Sequence, residues 1–194
     1  MAEKLPYPVE LVQNWTLRDG TGVVIRPIRP ADRQIEQDFV HNLSDESRYF
    51  RFFNALRDLS ETALTRFTQV DYDREMALIA VISENGRETE IGVARYAINP
   101  DGMSCEFAVV VADAWQRKGI GSKLMHSLMD AARSRGLETM EGWVLTGNTR
   151  MLALMDGLGF MIDASAGDPL LRHVVKNLAT RDIPAGTAAN RETT

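Results

Sequence analysis

The sequence predicts an α/β fold in which one mixed sheet is covered by helices. The first observation is the order of the periodic patterns: strands, several helices, a β-meander, then alternating strands and helices. The second is a pair of strong turn signals, Glu84-Asn-Gly-Arg87 and Asn99-Pro-Asp-Gly102, which divide the meander. The third is length, since 194 residues suffice for one domain with a sizeable core, and no internal repeat or linker suggests a second.

The chain before Met76 combines a hairpin with three helices. Strands are predicted at residues 14–18 and 23–28, on either side of the turn residues 19–22. A first helix is predicted from Pro30, because proline favours the first helical turn and an apolar stripe follows. Two more helices are predicted from Ser44 and Ser60. The helix from Ser44 has acids in its first turn and carries aromatic side chains interleaved with arginines.

The chain after Met76 alternates between strands and helices. Strands are predicted at residues 76–82, 91–98, 104–111 and 140–145, and a closing pair at 160–163 and 170–178. A helix after Gly121 has an apolar face and ends near Gly136. Another helix is predicted at residues 148–158. We predict an N-terminal arm at residues 1–12, one domain at 13–178 and a disordered tail at 179–194.

Composition narrows the function classes. A formal net charge of −5 argues against nucleic-acid binding, since no Lys/Arg block is present to neutralise phosphates. The single cysteine, Cys105, excludes an intramolecular disulfide and a multi-cysteine metal site, and the three histidines are scattered, so we predict no metal. Neither a signal peptide nor a membrane-spanning run is evident, so we expect a cytoplasmic protein without a membrane partner.

Residues 106–125 organise the site. They combine an apolar strand carrying one carboxylate, Glu106, with a polar turn that holds Gly119 and Gly121 and opens a helix. Backbone N–H groups of such a turn and the helix dipole point at the same spot, which favours an anion. A Gly-x-Gly at a helix start is also typical of a simple tight turn. The third glycine of a dinucleotide-binding motif is absent, and no Walker loop follows.

The full pattern Gln116-Arg-Lys-Gly-Ile-Gly121 resembles the acyl-CoA signature of the GNAT N-acyltransferases, and Asn148-Thr-Arg-Met151 running to Leu158-Gly-Phe160 matches a second GNAT motif. The resemblance covers roughly residues 15–178. Within the superfamily the chain is most similar to the catalytic domain of Pat-type bacterial protein lysine acetyltransferases. Residues 25–30, 47–53, 71–77 and 106–111 carry that likeness. It implies a central mixed, mostly antiparallel sheet flanked by helices.

The resemblance also implies acetyl-CoA as co-substrate. Its pantetheine arm would pair with the strand backbone at Val109, Val110 and Val111, where the strand splays from its neighbour. Its pyrophosphate would meet the turn and helix start, formed by Gln116, Arg117, Lys118, Gly119, Ile120, Gly121, Ser122 and Lys123. Arg117 and Lys118 are equally typical of solvated loop charges. Asn148 resembles a CoA-contacting residue, although a helix N-cap explains it equally well.

Glu106 is the candidate general base. A lysine ammonium with a pKa near 10.4 must lose a proton against about 4–5 kcal/mol before it attacks a thioester. Glu106 has apolar sequence neighbours and matches the glutamate of the Pat enzymes. A strand glutamate on a solvated face or in an ion pair is the alternative. Cys105, with its side chain on the opposite face of the strand, is expected to be core. The aromatic and arginine segment 47–53 and the acidic loop 71–73 are expected to flank the acceptor.

The predicted activity is acetyl transfer from acetyl-CoA to a primary amine, with a protein lysine favoured by the resemblance alone. The first alternative is a small amine or amino-acid acceptor, and the second is a catalytically silent acyl-CoA-binding module. Many GNAT enzymes use a tyrosine to protonate the leaving thiolate, whereas this chain has Met155 there. The sequence leaves open the group that serves the leaving sulfur, and whether the protein is a monomer or a homodimer.

Overall fold

The computed structural model describes residues 5–53, 57–164 and 167–179. Five helices lie in these ranges: α1 (Arg33–Asn42), α2 (Asp45–Phe52), α3 (Glu61–Thr68), α4 (Ile120–Ser134) and α5 (Thr149–Gly157). The strands are β1 (Gln13–Thr16), β2 (Gly22–Pro27), β3 (Glu75–Glu84), β4 (Arg87–Ile98), β5 (Ser104–Val111), β6 (Thr139–Leu145), β7 (Met161–Asp163) and β8 (Leu171–Asn177). The predicted elements are all present, with ends that differ by at most a few residues.

The eight strands form one sheet in the order β1-β2-β3-β4-β5-β6-β8-β7. Every neighbouring pair is antiparallel except β5 and β6, which are parallel because α4 returns the chain across the sheet. The predicted mixed, mostly antiparallel sheet is therefore confirmed. The one parallel pair lies near the middle of the sheet, where a break in pairing opens the interior.

The parallel pair is short. Pairing begins at Ser104 with Thr139 and ends at Glu106 with Glu141, although β5 continues to Val111 and β6 to Leu145. Beyond that point β5 stays paired with β4 as far as Gly92 and Val111, while its other edge has no strand partner within the described residues. The predicted splay is thus present, and it starts directly after Glu106.

Phe107 and Gly142 lie at the point where the strands part. A Cβ added to Gly142 would come within 2.8 Å of the Phe107 ring, so only a glycine lets the ring lie this close to the β6 backbone. Phe107 is buried and its centroid is 5.3 Å from that of Phe160. The ring therefore fills the base of the gap between β5 and β6, and a larger residue at 142 would force repacking.

The helices cover the two faces of the sheet. Helix α4 packs on β3, β4 and β5, with the predicted stripe Ile120, Leu124, Leu128 and Ala132 fully buried. Helices α1 and α3 contact each other, and α1 packs on β4 across the opposite face. Tyr7, in the predicted N-terminal arm, donates a hydrogen bond to the Pro27 carbonyl, so this part of the arm lies against the domain.

Helix α2 is held in place by polar contacts at its N-terminal end and with the end of α1. Arg48 donates to the carbonyls of His41 and Leu43, at the end of α1. Ser44 and Ser47 donate their hydroxyl hydrogens to Asp113 over 2.7 and 2.8 Å. Although burial raises the pKa of Asp113, these hydrogen bonds outweigh it and lower the pKa below its ordinary value. The hydrogen bonds from Ser44 and Ser47 to Asp113 thus hold α2 over the end of β5.

The predicted tail lies outside the described residues from position 180 onward, as do residues 1–4 of the arm. Within the described ranges, no helix combines the length and apolar character needed to cross a bilayer.

Candidate functional site

Two adjacent cavities follow the gap between β5 and β6. One, which we call the slot, has a volume of about 670 Å³ and runs from the parted strands to the start of α4. The other, the side pocket, has a volume of about 610 Å³ and lies toward the last paired residues of β5 and β6. The two cavities share five wall residues, which are Phe50, Arg51, Val109, Asn148 and Met151. The slot and the side pocket therefore lie next to each other.

The slot contains most of the predicted cofactor-binding residues. Those that line it are Val109, Val110, Val111, Gln116, Arg117, Gly119, Gly121, Ser122 and Asn148. The other three, which are Lys118, Ile120 and Lys123, do not line it, and Ile120 is buried in the core. Most of the residues predicted from the sequence pattern therefore lie around one cavity, and their role in cofactor binding stays a prediction.

The start of α4 offers unpaired N–H groups to the slot. Gly119 has φ 86° and is the N-cap, but no side chain caps the helix there. The first intrahelical bond runs from Lys123 N to Gly119 O, so the earlier N–H groups of the turn have no helical acceptor. An uncapped helix start of this kind binds anions well.

Gln116 fixes the turn that precedes α4. Its amide nitrogen donates to the Val111 carbonyl over 3.1 Å and to Ser47 over 3.3 Å. Its amide oxygen accepts from Arg150 on α5 over 3.1 Å. The side chain therefore joins β5, α2 and α5 around the slot, and its amide groups are committed to that structure.

We call the start of α4 and the turn before it, residues 116–121, the cradle. The basic side chains near this cradle divide into two groups. Arg117 and Arg150 line the slot and are exposed, so they can add positive charge beside the α4 start. Lys118 instead bonds Asp19 over 2.8 Å, and its ammonium lies 5.1 Å from the Trp115 ring centroid. The hydrogen bond from Lys118 keeps the pKa of Asp19 below its ordinary value.

Asn148 has both features that the sequence left open. Its side-chain oxygen accepts from Met151 N over 3.1 Å, so it is the N-cap of α5. It also lies on the wall shared by the slot and the side pocket. Capping uses the oxygen, which leaves the amide N–H₂ group available to a ligand.

Glu106 lines the side pocket, and it is the last residue of β5 that pairs with β6. Its sequence neighbours Cys105 and Phe107 are buried on the other face of the strand. The Glu106 side chain itself is exposed, so it does not have the apolar surroundings that its neighbours suggested. In the described part of the chain its carboxylate has no hydrogen-bond or ion-pair partner. It is therefore free to accept a proton from a group that enters the side pocket.

A second polar cluster lies beside Glu106. Glu141, its register partner on β6, accepts from Asn99 over 2.7 Å and lies 2.8 Å from His173 Nε2. His173 stacks on Trp143, with ring centroids 4.6 Å apart. Trp143 lines the side pocket and is 40% exposed. The stack with His173 thus places the flat Trp143 ring on the wall of the side pocket that also contains the unpaired Glu106 carboxylate.

Cys105 is core, as predicted. It is fully buried and donates to the Thr139 carbonyl over 3.7 Å, and burial raises the pKa of the thiol to about 12. It lines neither cavity, so nucleophilic catalysis by this thiol is not supported. Among the residues that the structure describes, no group of three His, Cys, Asp or Glu side chains is arranged to hold a metal ion.

The family model for the acetyltransferase (GNAT) family matches residues 38–160, which include the slot, the cradle and Glu106. The chain belongs to the GNAT family. As a member it is an acyl-CoA-dependent acetyltransferase.

The relatives of this GNAT domain include Pat-type enzymes. An acetyltransferase of Pseudomonas aeruginosa is 37% identical over 146 residues, covering 75% of this chain and 78% of the relative. Acetyltransferase Pat of Mycolicibacterium smegmatis is 30% identical over 155 residues, covering 79% of this chain but only 44% of that longer protein.

Solved structures show the same fold. The GNAT domain of S. lividans PAT superposes with a TM-score of 0.80 at 28% identity, covering 89% of this chain and 99% of that domain. A putative acetyltransferase from Salmonella typhimurium, solved with its cofactor acetyl-CoA, has a TM-score of 0.64 at 21% identity and covers 85% and 99% of the two chains. At that identity the second match shows the fold alone.

One expectation about the surroundings of the GNAT site does not match the cavities. The acidic loop does not flank the cavities, because Asp71 accepts from its own loop N–H groups and Asp73 pairs with Arg135. Met155 is fully buried and lines neither cavity, so it contributes nothing to the slot. The aromatic and arginine segment does lie at the site, since Phe50, Arg51, Phe52 and Phe53 line the side pocket.

Sequence reasoning did not single out Trp143, Arg150 or Asp168. Arg150 lines the slot, whereas Trp143 and Asp168 line the side pocket. Arg150 lies inside the second GNAT motif, so its neighbourhood carried a signal. Trp143 and Asp168 carried none, because their position depends on where β6 and β8 meet the gap.

Proposed function

We propose that this GNAT protein transfers the acetyl group of acetyl-CoA to a primary amine, by direct attack with Glu106 as the general base. The favoured acceptor is a lysine side chain of a protein. The observation that supports this most strongly is the gap between β5 and β6, which connects an anion cradle to a pocket containing an unpaired carboxylate. A thioester held along that gap would lie between the cradle and the base.

The cradle suits the pyrophosphate of acetyl-CoA. The uncapped start of α4 and the side chains of Arg117 and Arg150 supply N–H donors and positive charge at one end of the slot. The unpartnered edge of β5 at Val109–Val111 supplies backbone groups for the amides of the pantetheine arm. The S. typhimurium structure of the same fold, which contains acetyl-CoA, is consistent with this assignment.

Gly119→Ala should weaken CoA binding by about tenfold, because a φ of 86° costs an L-residue about 1–2 kcal/mol and relief of that strain moves the cradle N–H groups. Gly136→Ala is the matched control. It lies past the other end of α4 with φ 76° and has open space around it, so it should be strained to a similar extent. Calorimetry on both variants should show lost affinity only for Gly119→Ala, and equal affinities would contradict the cradle assignment.

Glu106 supports the proton transfer that the reaction needs. The attacking amine must be neutral, and a lysine ammonium at neutral pH is not. In the mechanism we propose, Glu106 takes one proton from the ammonium group, the neutral nitrogen forms a bond to the thioester carbon, the carbon–sulfur bond breaks with its electron pair on sulfur, and the second nitrogen proton goes to solvent. No covalent enzyme intermediate is needed, in keeping with the burial of Cys105 away from the cavities.

Glu106→Gln should lower kcat by about a hundredfold or more, with acetyl-CoA affinity within about twofold of the unmodified protein. The amide keeps the size and position of the carboxylate but accepts no proton. Glu141→Gln is the matched comparison, because it changes the neighbouring carboxylate in the same register row. Steady-state kinetics should show a much smaller loss for Glu141→Gln, and a larger loss there than in Glu106→Gln would assign the base to Glu141.

The proposed protein-lysine acceptor is supported by the Pat relatives and by the shape of the side pocket. The GNAT domain of S. lividans PAT is similar in structure over nearly its whole length. The pocket is open at its mouth, with the exposed rings of Phe53 and Trp143 on its wall. Those rings suit the methylene stem of a lysine, while Glu106 and Asp168 attract its ammonium group.

A lysine within a polypeptide should be a better acceptor than a free amine, by about tenfold or more in kcat/KM, since the rim adds contacts to the backbone around the lysine. Acetyl-CoA consumption can be followed with unstructured lysine-containing peptides, with free lysine and with small polyamines. A higher kcat/KM for a small amine would establish the small-molecule alternative. CoA binding without consumption for any acceptor would favour a silent acyl-CoA-binding module.

A further inference from the structure

The described walls of the cavities contain none of the side-chain types that most often protonate a leaving thiolate at neutral pH. Among the residues that line the slot or the side pocket in the described structure, none is Tyr, His, Cys or Lys. His126 contacts Ser122 on the exposed side of α4, and His173 is held by Glu141. None of these side-chain types in the described walls is therefore available to the sulfur that leaves in the proposed reaction.

Arg51 is the positive charge at the junction. It is one of the five residues shared by the slot and the side pocket, whereas Arg117 and Arg150 line only the cradle part of the slot. It sits near the end of α2, whose other side is fixed to Asp113 through Ser44 and Ser47. The reacting thioester of the proposed function would lie at this junction, between the cradle and Glu106.

The charge of Arg51 is only partly compensated by the residues around it, through the attraction of Glu36. Its guanidinium carbon lies 4.9 Å from the Phe52 ring centroid, and no described carboxylate pairs with it. The nearest buried pair is Arg95 with Glu36 on the neighbouring elements β4 and α1, and Glu36 is already bonded to Arg95 over 3.3 Å. Burial, followed by repulsion from Arg95, lowers the pKa of Arg51 to about 10, so it stays charged at neutral pH.

We propose that Arg51 is a catalytic residue that stabilises the CoA thiolate as it leaves, taking the place of a proton donor. This rests on the proposed function, since it assigns a group to the sulfur of the same reaction. When the tetrahedral intermediate collapses, the carbon–sulfur bond breaks and its electron pair stays on sulfur. The guanidinium compensates that negative charge without giving up a proton, and the thiolate takes its proton later from solvent.

The proposal accounts for a feature that the GNAT pattern leaves unexplained. Met155 replaces the usual tyrosine and is buried away from both cavities, so α5 presents no acid to the slot. A fixed cation can stabilise a leaving thiolate. Because a thiol has a pKa near 8.5, the thiolate can leave without being fully protonated, but its negative charge still needs stabilisation.

The test measures binding of the product, so it requires no acceptor. CoA and its S-methyl thioether are titrated into the protein by calorimetry at about pH 6.5 and about pH 9.0, both below the pKa of Arg51. If the guanidinium lowers the pKa of the bound thiol from about 8.5 to about 7.5, CoA affinity relative to the thioether rises roughly sevenfold over this range. The thioether carries the same phosphates as CoA and meets the same protein groups. Titration of the phosphates therefore cancels in the ratio of the CoA affinity to the thioether affinity, as does titration of Glu36, Glu106 and Asp168 around the junction.

Two variants complete the test. Arg51→Gln should lose the rise with pH and lower kcat by about tenfold to a hundredfold, while thioether affinity stays close to that of the unmodified protein. Arg51→Lys keeps a charge and should retain most of the rise. A ratio that does not change with pH in the unmodified protein, or a rise that persists in Arg51→Gln, would overturn the proposal. The binding test uses no acceptor amine, so its result does not depend on which amine the protein acetylates. The Arg51 proposal and the proposed function can therefore fail separately.

Discussion

The site depends on the break in pairing between β5 and β6. The two strands pair for three residues each, and β5 then continues beside β4 alone. The Phe107 ring lies against the Gly142 backbone at the start of the gap, where any side chain at 142 would meet it. One edge of a central strand is thereby left open inside the domain. A chain edge of this kind must be satisfied by another polar partner, and an extended ligand can supply one.

The walls of the gap come from elements that are fixed elsewhere in the domain. Helix α2 is fastened to Asp113 by two serine hydroxyls, and Gln116 bonds the end of β5, Ser47 and Arg150. These contacts position the cradle and α2, which carries Arg51, and they leave the Glu106 carboxylate unused. Polar groups that face the gap without a described partner, such as the Glu106 carboxylate, are then those available for chemistry. Rigid placement of such groups is what lets charge stabilisation lower a barrier.

The sequence predicted the elements well because their signals are local. Ser44 and Ser60 accept hydrogen bonds as N-caps, and β5 has the predicted ends at Ser104 and Val111. The cradle was predicted for the same reason, since its glycines and its helix are adjacent in the chain. Lys118 was not placed, because its partner Asp19 is 99 residues away and the ion pair depends on how β1 meets α4. Neither Trp143 nor the exposed side of Glu106 could be predicted, since both depend on the neighbours that the fold brings across the gap.

The most direct test of the account is a crystal structure of the protein with CoA bound. We expect the pyrophosphate at the backbone of residues 116–121, the pantetheine arm along Val109–Val111 between β5 and β6, and the sulfur at the junction near Arg51 and Asn148. CoA bound outside the gap, or with its sulfur directed away from the side pocket that holds Glu106, would contradict it.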